Sequence, residues 1–248
     1  MNVQLAALAF APGLAIGSFL NVLAARVPLQ RSIVSPGSAC MSCETELRWY
    51  DNVPLVSYVV LKGRCRHCGA RIPWRYPAVE AVTALLVVGC ALEFGWSWDF
   101  LIGSAFCAVL VTVSATDIER RIIPNRVVVP ASIVLLAAQT IVHPSAEWII
   151  AAVGASGFFL IAALAYPGGM GMGDVKLAFL LGAVLGRSVT VALFSGMLFA
   201  LAPSFVLLLR HGGRARKMAI PFGPFLALGG VLALFAGPAI LDWYLGVL

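Results

Sequence analysis

Long uninterrupted apolar runs recur along this 248-residue chain, and they leave it few ways to fold. A helix needs about 20 mostly apolar residues to cross the hydrocarbon core of a bilayer. Residues 3–25, 78–94, 100–116, 127–142, 148–166, 175–186, 189–209 and 219–240 offer eight such candidates. Inside a bilayer a helix satisfies its own backbone polar groups, so the expected fold class is an all-α polytopic membrane protein with about eight transmembrane helices. With 61% hydrophobic and 11% charged residues, the composition excludes a soluble domain, a disordered chain and a secreted disulfide scaffold. The run 175–186 is short. It crosses only if the glycine-rich stretch before it also lies at membrane depth, and otherwise it is re-entrant, leaving six or seven spans.

Charge sets the orientation. Eight spans place the connections 26–77, 117–126, 167–174 and 210–218 on one side. With Lys176 counted at that face, Arg187 alone of the 17 Lys and Arg falls opposite. The positive-inside rule then puts those connections in the cytoplasm and both termini outside. The net charge of +6 follows from topology and anionic headgroups, so lipid is an expected partner and nucleic acid is not. No positive charge precedes the first span, which reads as a retained helix and not a cleaved signal. Trp96, Trp98, Trp148, Trp243 and Tyr244 stand near span ends, as an aromatic belt does.

The one sizeable polar segment, 26–77, is too small to bury a core alone. It carries a staple in Cys40-Met41-Ser42-Cys43 and Cys65-Arg66-His67-Cys68. Two CxxC pairs suit tetrahedral zinc, and a small loop gains folding energy by closing around the ion. Four protein ligands leave no open position for water, so the expected role is structural. A cytosolic location disfavours the thiol–disulfide alternative. Cys90 and Cys107 fall within spans and read as packing residues; His67 reads as a solvated loop residue, and His143 and His211 have no cluster around them. The expected organisation is a first transmembrane helix (1–25), a cytoplasmic zinc-knuckle-like loop domain (26–77) and a transmembrane domain (78–248).

Acidic residues number 11, and two of them stand apart. Asp117 ends the third span and Asp174 begins the sixth, within Gly171-Met172-Gly173-Asp174, at the same face of the membrane. Ionisable groups at span edges are costly unless paired or functional. If the helices pack, the two carboxylates form an aspartyl dyad sharing a proton. One member activates water as general base while the other donates to a scissile carbonyl. The glycines beside Asp174 let backbone approach an extended substrate.

At this point the chain resembles the bacterial prepilin leader peptidase family, GxGD membrane aspartyl proteases. The matching pieces are Gly17-Ser18-Phe19-Leu20-Asn21, both CxxC pairs, the stretch from Tyr50-Asp51-Asn52 to Tyr58, and Arg75-Tyr76-Pro77 with Glu80. They continue with Asp117 through Pro124-Asn125, Gly171 to Leu177, and Pro221-Phe222-Gly223-Pro224-Phe225. The resemblance implies that Asp117 and Asp174 are the catalytic pair and Cys40, Cys43, Cys65 and Cys68 the metal ligands. It implies cleavage of type IV prepilins or type II secretion pseudopilins after a glycine, at the cytoplasmic face of the inner membrane. The long cysteine-bearing loop further implies N-methylation of the new terminus with S-adenosylmethionine, although no glycine-rich nucleotide loop is visible.

The chain departs from the common family pattern at Glu119 and Asn125, where later acids usually stand, and at Met41 and Trp74. Asp51, Asn52 and Glu80 read equally well as site residues or as hydrogen-bond partners that order the loop. Two other readings use the same aspartates: a different GxGD intramembrane protease, and a proton-coupled transporter. The CxxC pairs weigh against the first. The position of both acids at one face, with no repeat along the chain, weighs against the second.

Overall fold

The computed structural model describes residues 2–166, 170–212 and 220–247. Parts of the connections 167–174 and 210–218, with Arg214, Arg216 and Lys217 of the charge count, lie outside the described residues. Among those described, nine α-helices form and no strand: α1 (Asn2–Arg26), α2 (Val56–Val60), α3 (Arg75–Phe94), α4 (Trp98–Arg120), α5 (Asn125–Val142), α6 (Glu147–Ala165), α7 (Met172–Leu185), α8 (Val189–His211) and α9 (Gly223–Val247).

Seven helical stretches are long and apolar enough to cross a membrane, and the longest, Met172–Arg210, contains α7, a tight turn at Gly186–Ser188 and α8. The eight long helices follow the eight apolar runs. Their ends are set by local chemistry. Gly95, at φ +62°, stops α3, and Pro124, in extended conformation, precedes the first residue of α5. Among the boundaries that shift from the expected runs, two bear on the site. Helix α4 continues past Asp117 to Arg120 before Arg121 turns left-handed at φ 54° and donates its N–H to the Asp117 carbonyl at 2.8 Å. Helix α7 starts at Met172, so its 14 residues measure about 21 Å.

The chain divides into two compact units, Met1–Ala115 and Thr116–Leu248. In the first, α1 lies against α3 along a stripe of small residues. Ala6 and Ala9 pack on Val87 and Ala91. A Cβ on Gly13 would stand 2.8 Å from the Ala84 Cα, and one on Gly17 would stand 2.6 Å from the Glu80 Cα. The spacing of Gly13 and Gly17 is the close-approach pattern of membrane helix pairs.

In the second unit α7 is buried nearly all round. A Cβ on Gly182 would run into the Ala151 carbonyl, so α6 and α7 touch backbone to backbone. The break between α7 and α8 is clasped from two helices: the Gln139 side-chain amide of α5 donates to the Val184 carbonyl at 2.9 Å, and Glu147 of α6 accepts the Arg187 N–H at 2.7 Å. Gly196 and Gly229 bring α8 and α9 equally close.

Candidate active site and metal centre

Asp117 and Asp174 are both buried, at 6% and 9% exposure, and both belong to the second unit. Two contacts dock the connection after Asp117 onto the turn that carries Asp174. Gly173 lies so close to Ile123 that a Cβ would stand 2.8 Å from the Ile123 Cβ. The Lys176 ammonium donates to the Asn125 side-chain oxygen at 2.8 Å. These contacts set the connection that follows Asp117 against the helix start that carries Asp174.

Each carboxylate is held through one oxygen by the start of a helix. Asp117 Oδ2 accepts the N–H of Gly223, the first residue of α9, at 2.9 Å. Asp174, in the first turn of α7, reaches back with Oδ2 to the N–H of Gly171 at 3.3 Å. Two helix N-termini therefore supply positive potential beside the pair. Asp117 stands near the C-terminal end of its own helix, but the end it meets is the beginning of another. The contact with Gly223 was invisible in sequence, where 106 residues separate the partners; the Pro221-to-Phe225 string was its only trace.

Glu119 and Asn125, two of the departures from the family pattern, have structural partners. Glu119 lies 3.9 Å from the Arg120 guanidinium, and Asn125 holds Lys176 as described.

The four loop cysteines converge. Their sulfurs lie within 4.8 Å of one another, with Cys40–Cys68 at 3.8 Å and Cys43–Cys65 at 4.0 Å. Zinc–sulfur bonds of about 2.3 Å in a tetrahedron place sulfurs about 3.8 Å apart, so the cluster fits a tetrahedral ion and is too open for disulfides. The two halves are alike. Cys40 N–H donates to Thr45 O and Glu44 N–H to Cys40 O; Cys65 N–H donates to Ala70 O and Gly69 N–H to Cys65 O, all at 2.9–3.0 Å. Glu44 and Gly69, four residues after the leading cysteine of each pair, both adopt positive φ, 56° and 70°.

Hydrogen bonds from the Thr45 hydroxyl and backbone hold the Cys43 thiol down to about 6, and the backbone at Cys68 and His67 lowers Cys65. Both shifts run toward the thiolate, the form that ligates metal. The knot is tied to its surroundings within the first unit. Buried Asp51 receives two hydrogen bonds from Arg66, at 2.7 and 2.9 Å, and the Tyr76 hydroxyl donates to the Met41 sulfur at 3.4 Å. Asp51 therefore serves to order the loop. Cys90 and Cys107 are buried between helices, as packing residues are.

Comparison with known proteins agrees with this geometry. Residues 12–94 match the family model described as the bacterial peptidase A24 N-terminal domain, and residues 104–209 match the type IV leader peptidase family. This chain belongs to that family. It is similar to proteins named prepilin leader peptidase/N-methyltransferase in several bacteria. The one from Bacillus subtilis strain 168 is 36% identical, over 94% of this chain and 95% of the relative. That of Aeromonas salmonicida strain A449 is 32% identical, over 97% and 94%, and that of Neisseria gonorrhoeae 30%, over 94% and 92%. No solved structure matches the chain. As a type IV leader peptidase family member with this set of apolar helices, the chain is a multi-pass membrane enzyme, and its loop carries a four-cysteine cluster able to hold a metal ion.

Proposed function

We propose that this enzyme cleaves the leader from type IV prepilins or type II secretion pseudopilins and then methylates the new N-terminus. The observation that carries the peptidase half is that Asp117 and Asp174 are both buried and each fixed through one oxygen by a helix start, with the connection after Asp117 docked on the helix start that carries Asp174. One carboxylate takes a proton from water as it attacks the carbonyl carbon of the leader's last residue, the glycine. The other, protonated, donates to the carbonyl oxygen; the proton taken from water then passes to the departing amine, and a hydroxyl of the tetrahedral intermediate returns a proton to the second carboxylate. The C–N bond breaks and leaves a carboxyl on the leader and a free amine on the mature chain.

In this reading the peptidase domain is 78–248, the pair lies at the cytoplasmic face of the inner membrane, and both termini lie outside. The loop domain 26–77 is closed by structural zinc on Cys40, Cys43, Cys65 and Cys68 and serves the methyltransferase, with S-adenosylmethionine as methyl donor. The names of the relatives support both halves, and the sulfur geometry supports zinc.

The test is mass spectrometry of a prepilin incubated with purified enzyme and S-adenosylmethionine, using wild type, Asp117→Ala and Asp174→Ala. Loss of either carboxylate is expected to lower cleavage at least about 100-fold, the usual contribution of a positioned acid or base. Both variants should still methylate a pilin supplied without its leader. Normal cleavage by both variants would refute the assignment.

A further inference from the structure

One apolar segment of the first unit is used neither by a long span nor by the metal knot: Val53-Pro54-Leu55-Val56-Ser57-Tyr58-Val59-Val60-Leu61. Its helix, α2, exposes Val56, Val59 and Val60 to 57%, 72% and 67%, and their spacing puts them on one face. Trp49, 82% exposed, stands in the turn that packs beside α2. Arg48 flanks this segment on one side, and Lys62 and Arg64 on the other.

Hydrogen bonds set its depth. Asn21 of α1 donates to the Tyr76 carbonyl near the start of α3 at 3.0 Å. One turn further into both helices, Gly17 abuts the Glu80 backbone. Glu80 lies five residues beyond Arg75, about 7.5 Å along the axis. The Leu55 N–H donates to the Glu80 carboxylate at 2.9 Å. Helix α2 therefore begins level with the bodies of α1 and α3, which are themselves long and apolar enough to cross a membrane.

Its backbone is equipped for that depth, where water cannot satisfy unpaired groups. The N–H groups of Val56, Ser57, Val59, Leu61, Lys62 and Gly63 all donate to carbonyls within residues 53–59, at 2.6–3.0 Å. The Ser57 hydroxyl bonds the Val53 carbonyl at 2.7 Å. Leu55, held at φ 57°, turns the chain into the helix and is anchored by Glu80.

We propose that α2 is an interfacial membrane helix, set in the leaflet where α1 ends and α3 begins. Val56, Val59 and Val60 rest against acyl chains, Trp49 lies at the headgroup boundary, and Arg48, Lys62 and Arg64 meet anionic headgroups. A peptide substrate is the competing occupant of the same face, and the test separates the two.

Full-length protein with its six native tryptophans changed to Phe receives a single tryptophan by Val59→Trp or, as a control on an exposed knuckle position, Glu46→Trp. Each variant is reconstituted in vesicles of phosphatidylcholine and phosphatidylglycerol with or without bromine on the acyl chains. Quenching at position 59 should exceed that at position 46 several-fold and stay unchanged when prepilin is added. Equal quenching at both positions would overturn the proposal, as would relief of quenching at position 59 by prepilin. A second arm keeps the native tryptophans and places a benzophenone amino acid at Val59. Irradiation should yield a lipid adduct, and an adduct with prepilin alone would overturn the proposal.

Discussion

Gly223 places a backbone N–H where a side chain has no room. A Cβ there would stand 2.9 Å from Asp117 Oδ2, closer than real contacts allow, so Gly223→Ala has to displace the carboxylate. Displacements of about 1 Å at reacting groups cost on the order of 100-fold in rate. The expected outcome is a loss of that size in kcat for prepilin cleavage, with the thermal midpoint nearly unchanged. Kinetics and a melting curve on one preparation check it; full activity would mean that Gly223 does not position Asp117.

Helix α1 meets α3 through Gly13 and Gly17, and the cost of filling that seam is set by packing. Gly17→Leu puts a branched side chain where even a Cβ would lie 2.6 Å from the Glu80 Cα. Overpacking of this kind costs about 1–3 kcal/mol, which should appear as a lower melting temperature in detergent than for Ile16→Leu on the same helix. The apolar runs made the long helices legible in sequence because each is a single continuous stretch. The cysteine spacing likewise announced the four-cysteine cluster, and the glycine string announced Asp174. Helix α2 was hidden because five residues between turns carry no span-length signal. The stripe on α1 was hidden because small residues look merely apolar until a neighbour approaches. The Asp117–Gly223 and Leu55–Glu80 hydrogen bonds join residues 106 and 25 positions apart, and local pattern carries no record of such pairs.

At the scale of the whole molecule, the four-cysteine cluster and the aspartates Asp117 and Asp174 fall in different compact units. Stripping the ion should therefore melt one without the other. After treatment with a strong zinc chelator, trypsin is expected to cut within residues 27–74, at Lys62, Arg64 or Arg71, far faster than before. The segment 125–166 should resist as in untreated protein. Peptide mapping by mass spectrometry over a digestion time course reads both, and unchanged cutting in the loop would show that the cysteines need no metal to hold their fold.

Helix α7 is about 9 Å shorter than a hydrocarbon core of about 30 Å, yet ten of its 14 residues are buried, and its far end is clasped by Gln139 and Glu147. A short helix facing lipid transmits hydrophobic mismatch by tilting or by thinning the bilayer; a short helix wrapped in protein has no lipid to strain against. Asp174 rides on that insulated rod. With Asp117 held to the start of α9 and the connection after it docked on Gly173, the two carboxylates should keep their register as the bilayer thickness changes, so cleavage rates in vesicles of short-chain and long-chain lipids should agree within about twofold.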